Sequence, residues 1–214
     1  MIRERVDHPA TAKELLQVLR IPREERAAFK RRVRALVASG ALVEIRGHRF
    51  GLPDKMNLIV GRVSTNPRGF AFVDPESPGD DTPSSIYIAG SNLNQAMHGD
   101  RVVVRVEHRR EGDKAEGRIL RILERSAQRV VGRYDLDGSG PGFVVPFDRR
   151  LIMDVQIPRG ESKDAEPGDM VTVEITKWPT AARGPLGRVV EVLGGIDEPG
   201  VDTEIILRKY GIVA

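Results

Sequence analysis

Four short segments of this chain occur twice. Gly61-Arg62-Val63 returns as Gly132-Arg133-Tyr134, and Gly69-Phe70-Ala71-Phe72-Val73 as Gly142-Phe143-Val144-Val145. His98-Gly99-Asp100-Arg101-Val102 returns as Pro167-Gly168-Asp169-Met170-Val171, and Gly117-Arg118-Ile119 as Gly187-Arg188-Val189. The offsets of 71, 73, 69 and 70 residues define one unit of about 70 residues in two copies. Each copy holds about five short β-branched runs separated by Gly, Pro, Asn and Asp, with little helical periodicity. In the first copy these are residues 58–64, 70–73, 86–89, 102–107 and 117–123. Five strands with glycine corners in so short a length fit an oligonucleotide-binding (OB) barrel, which closes on itself and protects its edges. An RNA-recognition motif would need two helices between its strands, and the sequence offers none.

The segment before the repeats has a different texture. Thr11 precedes Glu14 with capping-box spacing, so a helix starts there and carries Leu15, Leu16, Val18 and Leu19. Pro22 stands as the first residue of a second helix, Glu24 and Glu25 fall in its first turn, and Gly40 closes it. Phe29, Val33, Leu36 and Val37 form one buried stripe, leaving Lys30, Arg31 and Arg34 exposed. Residues 41–45 and 48–52 then flank Arg46-Gly47 as a hairpin. Two helices and a hairpin predict a winged-helix-like module whose first helix is missing or held in Met1 to Val6. The expected fold class is therefore mainly β with a small α/β N-terminal module, followed by two tandem five-stranded OB barrels. The boundaries are 1–54, 55–127, 128–195 and a linker over 196–214.

Charge and composition narrow the function. Residues 1–54 hold 12 Lys/Arg against 7 Asp/Glu, while the two barrel segments are nearly balanced, at 11 against 10 and 9 against 10. A cationic surplus on one module suits a phosphate-bearing partner, and equally a solvated face. The absence of cysteine excludes disulfides, thiolate nucleophiles and cysteine-ligated zinc, and suggests a reducing compartment. No apolar run approaches 18 residues, and the first 20 positions carry Arg3, Glu4, Arg5, Asp7, Lys13 and Glu14 where a signal peptide would be apolar. The expectation is a cytoplasmic protein with no membrane partner.

The residues singled out for RNA lie mostly on the first barrel. Arg68-Gly69-Phe70-Ala71-Phe72-Val73 puts two rings at alternate positions of a strand, hence on one face. Pointing outward, Phe70, Phe72 and Tyr87 form a stacking platform for unpaired bases, with Arg62, Arg68 and Arg101 along the backbone. Pointing inward, they would be barrel core. In the second copy Phe143 takes the Phe70 position, Val145 replaces Phe72, and Phe147 offers compensation. Arg31, Arg34, Arg46 and Arg49 of the N-terminal module are further phosphate contacts, or a solubilising face. Trp178 reads as an inter-domain anchor or a base contact.

With these residues in place, the chain resembles the N-terminal part of the bacterial ribonuclease II/R exoribonuclease family, in its ribonuclease R branch, over essentially all of its length. The likeness rests on the order and spacing of residues 69–73, 97–102, 142–146, 187–194 and 207–211 behind the helical start. It implies two cold-shock barrels, then a nuclease domain as intramolecular partner, and magnesium-dependent hydrolysis of RNA from the 3′ end. That nuclease domain is expected beyond this chain, which is then inactive alone, with no cofactor of its own. Asp80-Asp81 and Asp135 with Asp137 read as solvated turns, so no catalytic residue is carried over. The chain departs from the cold-shock pattern at Ser64 and Thr65, where Lys and Trp are usual, and at Ala89, where His is usual. Two other readings stay open: a free-standing tandem cold-shock RNA chaperone, and a winged-helix nucleic-acid-binding regulator.

Overall fold

The computed structural model describes residues 9–45, 47–77, 82–110, 114–138 and 140–209. Arg46, Asp80-Asp81, Met1 to Val6 and Tyr210-Gly211, all named above, lie outside the described residues. The chain divides into two compact units. The first comprises Met1–Val63, Phe72–Leu93 and Arg101–Glu124; the second comprises Ser64–Ala71, Asn94–Asp100 and Arg125–Ala214.

The chain opens with β1 (Ala10–Thr11) and α1 (Ala12–Val18). The capping box is complete: Thr11 Oγ1 accepts from the Glu14 N–H, and Glu14 accepts from the Thr11 N–H. The second helix, α2 (Arg26–Ala38), begins four residues later than the sequence predicts. The carbonyls of Pro22 and Arg23 are taken by the N–H groups of Glu25 and Arg26 in a separate turn, so Pro22 opens that turn and Glu25 becomes the cap. The expected stripe is real: Val33 and Val37 are buried with Leu42, and Phe29 and Leu36 pack against them. The hairpin β2 (Val43–Ile45) and β3 (Arg49–Gly51) joins β1 in a three-stranded antiparallel sheet of order β1-β3-β2. Its turn uses two left-handed residues, Gly47 at φ 80° and His48 at φ 53°. The Glu44 carboxylate holds the His48 ring at 2.7 Å.

Both repeats close into five-stranded barrels, as the turn-rich sequence predicts. The first is β4 (Leu58–Thr65), β5 (Ala71–Pro75), β6 (Ser85–Ile88), β8 (Lys114–Glu124) and β7 (Arg101–Arg110), in that order round the barrel. The second runs β10 (Gly142–Pro146), β11 (Val155–Ile157), β13 (Leu186–Gly195), β12 (Asp169–Lys177) and β9 (Arg129–Leu136). In each, one parallel pairing closes the ring, β6 with β8 and β11 with β13. The bulges recur too. Along the β7–β8 ladder the register shifts at Arg101/Val102, Val103/Val104 and Val106/His108, and along the β12–β13 ladder at Met170/Val171, Thr172/Val173 and Ile175/Lys177. Every shift is offset by 69 residues, the extra residue falling on β8 or β13 in the first two and on β7 or β12 in the third, so both ladders bend around the barrel at the same points.

Burial follows the strand alternation where one face meets solvent, and breaks where both are covered. Val102, Val103 and Val104 are all buried. Val102 and Val104 lie on one side of the strand, and Val103 on the other is covered by Val43 of the hairpin together with Leu58. In the second barrel the residues read as a linker form α3 (Val201–Lys209). Val201 and Ile205, one turn apart, bury themselves against Val131, Met170 and Leu193.

Candidate nucleic-acid interface

The outer face of the first barrel brings two of the singled-out rings together. On β5, Ala71 and Val73 are fully buried and Phe72 between them is 41% exposed, because successive side chains take opposite faces of the sheet. Tyr87 stands likewise between the buried Ile86 and Ile88 of β6. The two rings meet edge to face, with centroids 5.9 Å apart and planes at 68°. The next outward position on β5 is polar: the Asp74 carboxylate accepts from the Ser85 hydroxyl at 2.9 Å.

The cations of this face converge on one carboxylate. Arg101 Nε donates to both oxygens of Glu76, at 2.7 and 2.9 Å, and Arg62 Nε lies 3.9 Å away. The hydrogen bond from Arg101 holds the Glu76 carboxyl below the usual carboxylate range, and the same bond raises Arg101. An arriving phosphate therefore meets an ion pair here rather than bare guanidinium.

The other residues are distributed elsewhere. Arg68 and Phe70 belong to the turn before β5. There the Asn66 side chain accepts from the Arg68 N–H at 2.9 Å, and the Phe70 carbonyl accepts from the Asn66 N–H at 2.8 Å. Arg68 is exposed and Phe70 half-buried. Arg31 and Arg34 lie on the exposed side of α2.

In the second barrel the repeat has a different register from the one its Gly-Phe dipeptide suggests. A side chain at Gly61 would strike the Asp74 carbonyl and Val73; one at Gly132 would strike the Val145 carbonyl and Val144. Likewise the Glu76 N–H donates to the Val60 carbonyl at 3.0 Å, and the Phe147 N–H to the Val131 carbonyl at 2.9 Å. The offset through this part of the barrel is thus 71 throughout. Phe143 is the counterpart of Phe72 rather than Phe70, Val145 that of Asp74, and Phe147 that of Glu76. Phe143 faces outward and half-buried between Asp135 and Gln156, and Gln156 stands where the first barrel has Tyr87. Phe147 is 49% exposed.

One further polar centre is structural. Asp100 is fully buried, and its carboxylate accepts from the Met97 and Ser126 N–H groups and from Arg125 at 2.9 Å. Arg125 in turn lies over the Trp178 ring, 5.0 Å from its centroid, and Trp178 packs on the second barrel's core. Trp178 is therefore an anchor within the second unit.

Comparison with known proteins agrees with the architecture. Residues 61–122 match the Ribonuclease B OB domain family and residues 143–214 the Cold shock domain family. Ribonuclease R of Acidithiobacillus ferrooxidans is 35% identical over 211 residues, which is 98% of this chain and 47% of the relative. Ribonuclease R of Escherichia coli K12 is 34% identical over 207 residues, 96% of this chain and 25% of the relative. Among solved structures, the yeast pseudonuclease Ssd1 superposes with a TM-score of 0.63 at 20% identity, covering 75% of this chain and 25% of that one. RNase R of Mycoplasma genitalium, in complex with ribose-methylated single-stranded RNA, gives 0.61 at 20% identity, covering 72% and 24%. At those identities the structural likeness is one of fold. The chain is thus a homologue of ribonuclease R proteins along nearly all its own length, and it spans less than half of each of these two relatives.

Proposed function

We propose that this chain binds single-stranded RNA and feeds it towards the nuclease region of a ribonuclease R-type enzyme in the cytoplasm, opening structured RNA as it does so. The observation that carries this reading is the Phe72–Tyr87 pair, outward on a closed OB barrel that also carries the Arg62–Arg101–Glu76 group. Stacking on such rings is tolerant of base identity, as an enzyme that degrades many sequences requires. We read the N-terminal module as a winged helix whose exposed α2 arginines add phosphate contacts. Magnesium, implied by the family, is not placed here. Among the described residues no group of three or more His, Asp or Glu side chains is arranged to hold a metal ion.

Fluorescence anisotropy with labelled oligouridine tests the reading. Phe72→Ala, which leaves the buried core intact, is expected to weaken binding about 5- to 150-fold, the equivalent of one lost stacking interaction of about 1–3 kcal/mol. Arg31→Ala should mainly shallow the salt dependence. Equal affinity of the unmodified chain for duplex DNA would overturn the proposal.

A further inference from the structure

The second unit contains a cavity of about 300 Å³ that the platform on the first barrel does not involve. Arg129, Arg150, Arg208 and Lys209 line it against one carboxylate, Asp148, and the exposed ring of Phe147 stands at its wall. Its parts come from separate stretches of sequence. Arg129 opens β9, residues 147–150 follow β10, and Arg208 and Lys209 end α3.

Internal pairing holds most of this wall in place. Asp148 takes Arg150 through three hydrogen bonds, the backbone N–H and Nε at 3.0 Å each and Nη2 at 2.6 Å, and Lys209 lies 3.5 Å away. Arg208 is held from outside the cavity by Glu191, at 2.9 Å to each oxygen, and by Glu204 at 3.0 Å. Arg129 forms no ion pair with any described residue. His98 completes the lining; its Nδ1 accepts from the Thr65 N–H at 3.3 Å, which leaves the proton on Nε2 as a donor.

A guanidinium with no ion pair among the described residues, that of Arg129, calls for an anion, and the exposed ring lining the same cavity calls for a flat π-system. A nucleotide has both, and a volume at the low end of ligand pockets suits one unit rather than several. We infer that this cavity takes one nucleotide of a single-stranded RNA, its phosphate against Arg129 and the Arg150–Lys209 edge and its base on Phe147. The inference rests on the RNA-binding reading and deepens it: the second barrel, whose outward β10 face lacks a partner ring for Phe143, holds RNA at the Phe147 position instead.

The experiment is oligouridine anisotropy on the full chain over a salt series, for Phe147→Ala, Phe147→Leu, Arg129→Gln and Phe72→Ala. The expected result is at least about fivefold weaker binding for both Phe147 variants, since leucine keeps apolar volume but has no π-face. Arg129→Gln should lower the slope of log affinity against log salt by about 0.7, the value of one phosphate contact on a single strand. Normal binding by the Phe147 and Arg129 variants together with weakened binding by Phe72→Ala overturns this inference and leaves the general reading standing. Failure of the unmodified chain to bind oligouridine overturns both. Weakened binding by Phe147→Ala with normal binding by Phe147→Leu also overturns it, because packing rather than stacking is then what the ring supplies.

Discussion

Glu76 decides how the first barrel's face meets a polyanion. It stands among cations that would otherwise face solvent, and it spends Arg101 on an internal pair with two short hydrogen bonds. Removing its charge while keeping its shape should release that guanidinium. Glu76→Gln is expected to tighten oligouridine binding and to steepen the salt dependence by about 0.7 per phosphate newly neutralised. Unchanged affinity and slope would mean that Arg101 has no part in binding. The sequence makes Phe72 and Tyr87 legible because alternation is a local property, readable from four or five neighbouring residues. It hides the clamp, since Arg101 and Glu76 are 25 residues apart and meet only when the barrel closes. It also misplaces Phe143 by two positions, because the Gly-Phe dipeptide is a stronger visual match than the ladder register that actually equates Phe147 with Glu76.

α3 is the element the sequence reading missed. Nine residues are too few for a helix to be stable alone, so local propensity gives little signal and the tail reads as a linker. What holds it is tertiary: Val201 and Ile205 are buried against the second barrel, while Ile206 is 53% exposed. The spacing of Val201 and Ile205, with Glu204 and Arg208 paired one turn apart on the neighbouring face, was the available clue. The consequence is a sharp contrast between adjacent isoleucines. Ile205→Ala should cost about 2–5 kcal/mol in urea unfolding, as for other buried isoleucines, and Ile206→Ala within about 0.5 kcal/mol. Equal small effects would show that the helix contributes nothing to the barrel's stability. Hydrogen exchange locates the effect, with Val131 and Met170 losing protection in the Ile205 variant.

At the scale of the whole molecule, one design is used twice with two different covers. Repeat length and strand number are legible because they follow from turn residues and period-two runs, and the OB class follows from them. The covers are not, because each is a long-range contact: the hairpin residue Val43 over Val103 in one barrel, and α3 over Val131 in the other. Both units also carry groups whose protonation is coupled to folding. Glu76 is held low first by its hydrogen bond from Arg101, Asp148 by that from Arg150, and Glu191 by that from Arg208. Carboxyls depressed in the folded state stabilise it above their ordinary values, 4.5 for Glu and 3.8 for Asp, and this contribution is lost as pH falls below them. His98 acts earlier. Burial, and then Arg150, lower it from its ordinary 6.5, so on acidification the unfolded chain takes up the proton first and stability begins to fall below pH 6.5. Acid unfolding should therefore show a first decline in thermal midpoint between pH 6.5 and 4.5, followed by a steeper one below 4.5. His98→Gln removes the proton uptake and should flatten only the first decline, while Glu76→Gln should soften only the second. A midpoint in the unmodified chain that is level down to pH 4.5 would mean that His98 accepts its proton in the folded state as readily as in the unfolded one.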